Sequence, residues 1–273
     1  MLAAFSIGIG TGALLCDRLS GGRIELGLVG LGALGITLFI VRLYTGSPST
    51  TADTALLGPV AFLTTDYGSR IFFDTLLLGL FGGIYIVPLT TLIQKRSSPK
   101  HRARVIAGNN VLSALAMVLA SGFAILALNI ANLSIPQLFL LLGAMNAMVA
   151  VYIAWRLPEF LLRFLAWLLT PALYRLRKQG VANLPEEGPA LLVCNHVSFV
   201  DAIILSATAP RPIRFVMYHK IFRIPLLSFI FRGMKAIPIA PAKEDPRLLD
   251  NAYDRIDAAL AAGEWVCIFP EGG

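Results

Sequence analysis

Long runs almost free of charge constrain this chain more than any other feature. A helix that crosses a bilayer needs about 20 consecutive apolar residues, because hydrocarbon offers its backbone no water. Windows 26–44, 71–93, 105–130 and 136–155 meet that length, and a shorter fifth, 2–16, starts at the first residues. The fifth lacks the basic start and small-residue cleavage site of a secretory signal. It reads as a transmembrane helix without its beginning. Hydrophobic residues make up 56% of the chain and charged ones 14%, with a mean hydropathy of +0.73. Those values exclude a wholly water-soluble globule, a disordered chain and a collagenous one. Cys16, Cys194 and Cys267 form no CxxC pair, so neither a disulfide scaffold nor a zinc or redox motif is indicated.

Charge divides the chain. Residues 1–157 hold 10 Lys/Arg and 5 Asp/Glu, against 13 and 11 in residues 158–273. The first part reads as a helical membrane bundle and the last as a water-exposed domain. The loops of the first part alternate in sign. Asp17, Arg18 and Arg23 occupy one, and Lys95, Arg96, Lys100, His101, Arg102 and Arg104 occupy another. Residues 45–69 carry Asp53 and Asp66 with no Lys or Arg, and 131–135 carry no charge. By the positive-inside rule the basic loops face the cytoplasm, and everything after residue 157 does too. Residues 158–179 are apolar but broken by Pro158, Arg163 and Pro171, and end in Arg175, Arg177 and Lys178. That pattern fits an interfacial helix pair on an anionic membrane surface, with a sixth span as the alternative. The net charge of +7 is thereby accounted for, and no aromatic-interleaved basic patch points to nucleic acid.

Within the spans, Gly8/Gly12 and Gly79/Gly83 have the GxxxG spacing that lets helices approach closely. Asp74 lies inside an apolar window, either as an intramembrane functional group or as an interfacial partner of Arg70 at i and i+4. Asn109, Asn110 and Asn146 either line a path or join helices.

From residue 180 the pattern changes to short strands at 190–194, 213–217, 235–239 and 265–269, with helices at 202–207, 221–231 and 246–262 between them. Alternation of that kind indicates an α/β layered domain, whose active residues gather where strands end. Two strand ends carry chemistry. The first reads Asn195-His196-Val-Ser-Phe-Val-Asp201 and the second Phe269-Pro270-Glu271-Gly272-Gly273. An Asp five residues after a His, across a strand-to-helix turn, can hold one imidazole nitrogen and leave the other as a general base. Asp201 can also be read as the acidic member of a capping box begun by Ser198. Lys243-Glu244-Asp245 and the aspartates of 250–257 read as solvated surface. No HExxH or GxSxG is present, which disfavours a zinc protease or serine esterase.

Asn195–Asp201 resembles the NHx4D motif of glycerolipid acyltransferases, and Phe269–Gly272 resembles their FPEG motif, in the same order and at a similar separation. The resemblance implies His196 as the base that activates an acceptor hydroxyl and Asp201 as its partner. It implies that Phe269, Pro270, Glu271 and Gly272 contact the glycerol-phosphate acceptor. The family's middle motif falls near Gly233–Ile239, where its Phe is Ala236 and its terminal Arg is missing, so Arg232 or Lys235 is expected to supply the phosphate contact. No metal or redox cofactor is implied; acyl-CoA or an acyl-carrier protein enters as co-substrate. Gly12–Arg23 is similar to a cytoplasmic loop signature of major facilitator transporters, which implies a partial transporter half in residues 1–157. The two resemblances together point to bacterial fusions of a lysophospholipid transporter with a 2-acylglycerophosphoethanolamine acyltransferase. This chain is expected to be a fragment of such a fusion, lacking the apolar-Pro motif beyond FPEG, in the bacterial inner membrane. The competing reading is a transporter whose attached domain is catalytically inactive.

Overall fold

The computed structural model describes residues 1–20, 25–47, 58–156, 158–185, 187–198 and 200–271. Arg23, Asp53 and Gly272 lie outside the described residues. The chain forms two compact units, Met1–Ala154 and Trp155–Gly273.

The first unit holds five helices long and apolar enough to cross a membrane. They are α1 (Leu2–Ser20), α2 (Gly27–Gly46), α4 (Asp66–Arg96), α5 (Arg102–Ile125, continued by a π-helical turn to Ile130) and α6 (Ile135–Arg156). A short α3 (Pro59–Leu63) precedes α4, whose first turn is capped by Thr65 Oγ1 accepting from the Gly68 amide at 3.1 Å.

Small residues set how closely these helices pack. Ala4, Gly8, Gly12 and Cys16 form a buried stripe at i, i+4 spacing along α1. A Cβ at Gly8 or Gly12 would fall on the carbonyl oxygen of Leu76 or Leu80 in α4. From the other side, a Cβ at Gly79 or Gly83 would strike the carbonyl of Phe5 or Ile9. The two GxxxG motifs therefore face each other, and backbone contact replaces side-chain packing. Against α2, the seam is made by Gly32 on the Tyr85 backbone and Gly35 on the Phe81 ring.

Polar groups inside the unit pair with one another. Asp74 is 1% exposed; its Oδ1 lies 2.9 Å from Arg42 Nε, and Oδ2 lies 3.7 Å from Arg70 Nε. The i, i+4 partner is real, but the shorter contact crosses from α4 to α2. Asn146 of α6 donates to the Ala33 carbonyl and to Thr37 Oγ1, both at 2.8 Å, so it joins α6 to α2. None of the residues of α5 is buried, Asn109 and Asn110 included.

In the second unit, α7 (Pro158–Leu173) is a single helix rather than the expected pair. It continues through Pro171 and stops two residues later. Its buried face includes Arg163, Phe164 and Thr170, whereas Leu165, Leu168, Leu169 and Leu173 are exposed. Arg163 does not snorkel to water: Nη1 donates to the Ala209 carbonyl at 3.2 Å. A cation there meets the negative end of the helix that Ala209 terminates.

Four parallel strands follow: β1 (Ala190–Val193), β2 (Ile213–Tyr218), β3 (Ile237–Ile239) and β4 (Trp265–Ile268), in the order β1-β4-β2-β3. Side-chain alternation feeds two cores. Ile213, Phe215, Trp265 and Cys267 pack with Ala202 and Leu205 of α8 (Asp201–Thr208). Val216, Ile237 and Val266 pack with Ala252, Ile256 and Ala259 of α10 (Pro246–Ala261) on the other face. Between β2 and β3 the expected helix 221–231 is broken. A 3₁₀ turn (His219–Arg223) ends at Ile224, held extended at φ −78°, ψ 115° ahead of Pro225, and α9 (Pro225–Gly233) starts there. A residue before proline is disfavoured in the helical region, which accounts for the break.

Candidate active site

Because all four strands are parallel, their C-terminal ends share one edge of the sheet. Each β-to-α connection there leaves backbone groups and side chains beyond the ladder, so chemistry accumulates at that edge. Cys194 extends β1 by one step, its amide donating to the Ile268 carbonyl at 3.2 Å. His196 stands two residues further on. Its ring lies over Phe269, the residue after β4, with centroids 4.7 Å apart, and Phe269 in turn stacks on Phe215 at 6.2 Å. An aromatic column rising from the core thus seats the imidazole.

Asp201 is the first residue of α8. Its Oδ2 accepts from the amides of Val197 and Ser198, each at 2.8 Å, and lies 3.2 Å from His196 Nδ1. The turn-closing role and the histidine-holding role read from sequence are therefore performed by one oxygen. It is not the full reciprocal box: the Asp201 amide donates to the Ser198 carbonyl, and Ser198 Oγ accepts from Val200 at 3.3 Å. The two backbone amides, then the nearby His196, hold the Asp201 carboxyl below the usual carboxylate range. An ionised carboxylate on Nδ1 sets the tautomer with its proton on that nitrogen, turning Nε2 into the acceptor.

Pro270 and Glu271 follow β4 at this same edge and are exposed. Arg232 and Lys235 are not brought there. They precede β3, so they sit at the opposite, N-terminal edge of the sheet. Lys235, with φ of +55°, places Nζ 2.9 Å from both carboxylate oxygens of Glu159 in the first turn of α7. The expectation that either residue stands in for the missing arginine fails on topology.

The edge instead carries a cluster that sequence reasoning passed over. Tyr218 ends β2 and His219 and Lys220 follow it, at the level that Asn195 and His196 hold beyond β1. Glu244 accepts from Tyr218 Oη at 2.7 Å, and lies 2.6 Å from Lys220 Nζ and 3.4 Å from His219 Nε2. Hydrogen bonds from Lys220 and then Tyr218 lower the Glu244 carboxyl to about 2, and the same contacts raise Lys220. Glu244 is therefore an anchor and not idle solvated surface. The strand-end rule that found His196 applies equally to Tyr218–Lys220 and was the available signal. With β4 between β1 and β2, the cluster stands about 10 Å from His196, two strand spacings. Among the described residues no group of three His, Cys, Asp or Glu side chains is arranged to hold a metal ion.

A parallel sheet thus carries a His–Asp pair at its C-terminal edge, an arrangement that can hold an imidazole for use as a base. In comparison with known proteins, this part of the chain, residues 175–273, matches the Acyltransferase family model. It is 37% identical over 97 residues to a lysophosphatidylcholine acyltransferase of Drosophila melanogaster, covering 34% of this chain and 17% of that protein. It is 31% identical over 107 residues to an uncharacterized protein of Mycobacterium leprae (strain TN), covering 36% of this chain and 26% of that one. The chain thus spans 17% and 26% of the lengths of these two relatives. No solved structure matches it.

Proposed function

We propose that the protein is a membrane-bound O-acyltransferase that moves a fatty acyl group from a thioester donor, acyl-CoA or an acyl-carrier protein, to the free hydroxyl of a lysophospholipid. The observation that carries the reading is the 3.2 Å contact between His196 Nδ1 and Asp201 within the residues that match the Acyltransferase family model. In this reading Nε2 takes the proton of the acceptor hydroxyl as its oxygen attacks the thioester carbonyl. The tetrahedral intermediate then collapses, the carbon–sulfur bond breaks, and the proton passes to the departing thiolate. The Val197 and Ser198 amides are committed to Asp201, so the oxyanion is steadied by other donors. No metal or redox cofactor enters the reaction. Phe269, Pro270, Glu271 and Gly272 border the acceptor glycerol. Lys220, on the same edge and held by Glu244, takes the phosphate in place of Arg232 or Lys235.

The five helices long and apolar enough to cross a membrane support a multi-pass membrane protein. The basic run from Lys95 to Arg104 supports an orientation that puts the acyltransferase domain on the cytoplasmic side of a bacterial inner membrane. The same helices form part of a major-facilitator-type lysolipid transporter that delivers the acceptor, a role supported by the Gly12–Arg23 loop.

The test is acyl transfer by the full chain in phosphatidylethanolamine/phosphatidylglycerol vesicles, with labelled acyl thioester and a lysophospholipid. His196→Ala should reduce the rate about 10²- to 10⁴-fold, the usual worth of a general base. Retention of activity within tenfold of wild type removes His196 from the mechanism.

A further inference from the structure

The α/β unit carries an apolar stripe that none of the roles above uses. On α9, Phe229 is 73% exposed and Ile224, just before the helix, is 51% exposed. Pro225, Phe229 and Arg232 share one face at i, i+4 and i+7, and Arg223 and Arg232 are exposed at the two ends. An aromatic and an aliphatic side chain held out to water between two arginines form the composition of a helix lying in a lipid interface.

The chain itself supplies the membrane. Trp155, 75% exposed, and Arg156 close the last span, and an aromatic–basic pair at a helix end marks the headgroup level. One residue separates Arg156 from Pro158, so α7 starts within about 8 Å of that level. The end of α9 is fastened to this first turn. A Cβ at Gly233 would lie 3.2 Å from Leu162 and 3.3 Å from Pro158, and Lys235 grips Glu159 at 2.9 Å. Phe229 stands four residues back from Gly233, about 6 Å along the helix. Phe229 is thereby held about 10 Å from the start of α7, close to the headgroup level that Arg156 marks.

We propose that α9 is a second interfacial element of the acyltransferase domain, which inserts Phe229 and Ile224 at the boundary of headgroups and acyl chains while Arg223 and Arg232 meet anionic phosphates. The occupant of this face is the bilayer that α6 spans, and not a protein partner. Two fastened points, α7 and α9, fix the tilt of the domain on the membrane, which one helix alone leaves free to roll.

The experiment uses the full chain in phosphatidylethanolamine/phosphatidylglycerol vesicles containing a phospholipid with a photoactivatable diazirine high in its acyl chain. Lipid adducts are mapped by mass spectrometry. The expected result is adducts on residues 224–232 comparable to those on 165–173, and none around Tyr253, an aromatic on α10 that is 56% exposed. Phe229→Asp should reduce labelling of 224–232 about tenfold and leave 165–173 unchanged, and Phe229→Trp should preserve it. Labelled α7 with unlabelled α9 overturns the proposal, as does labelling indifferent to Phe229→Asp. The readout needs no acyl transfer, so its failure and the failure of the catalytic reading are separate results.

Discussion

Replacing Gly12 by alanine tests whether backbone contact holds α1 on α4. The added Cβ would fall on the Leu80 carbonyl oxygen and 3.0 Å from Leu80 Cα, so neither a rotamer change nor a flexible neighbour relieves the clash. The helices must separate by about an ångström, loosening the dispersion contacts along the whole Gly8/Gly12–Gly79/Gly83 seam. Overpacking of this kind costs about 1–3 kcal/mol. For a unit of this size that corresponds to a fall of roughly 2–12 °C in the melting temperature. Gly10→Ala is the internal control, because its Cβ meets nothing within 4 Å on the same helix. It should gain about 0.5–1 kcal/mol from helix propensity. Thermal unfolding of purified protein in one detergent, followed by size-exclusion chromatography of heated samples, gives both values. Equal melting temperatures for Gly12→Ala and Gly10→Ala would refute the close-contact argument.

At the His196–Asp201 pair, Asp201→Asn should keep the turn, since an amide oxygen can still accept from Val197 and Ser198, yet lose the charge facing His196. Acylation should fall about ten- to a hundredfold with an unchanged melting temperature, whereas Asp201→Ala should approach the His196→Ala rate; full activity in Asp201→Asn would show the charge to be dispensable. The Glu244 carboxyl is depressed, so its pairing with Lys220 persists from neutrality down to about pH 2 and is lost as pH falls through that value. A carbon-13 carboxyl titration should place Glu244 there in wild type and move it toward 4.5 in Lys220→Met, and no movement would remove Lys220 as the cause. Burial, then the neighbouring Cys194, pushes the Cys267 thiol up, so iodoacetamide at pH 8 should modify it only after unfolding. Rapid alkylation of Cys267 in the native protein would contradict that environment.

Local composition and spacing determined much of this protein without help from the fold. Hydrocarbon selects long apolar helices whatever their neighbours, so the five windows reappear as α1, α2, α4, α5 and α6. The β/α alternation after residue 180 and the five-residue step from His196 to Asp201 are likewise local, and a short turn closes on itself wherever it is placed. What tertiary structure decided depends on which edge, face or partner a residue meets. Arg232 and Lys235 have suitable charge but precede a parallel strand, which carries them to the far edge from His196. Lys220 and Glu244, 24 residues apart, meet only because β2 and β3 end side by side. Arg42 finds Asp74 across a helix seam whose closeness comes from glycines, and Arg163 turns inward to the end of α8 where its sequence position pointed to lipid. Each of those choices is made by contacts between segments far apart in the chain, where charge and hydropathy of a single stretch carry no information.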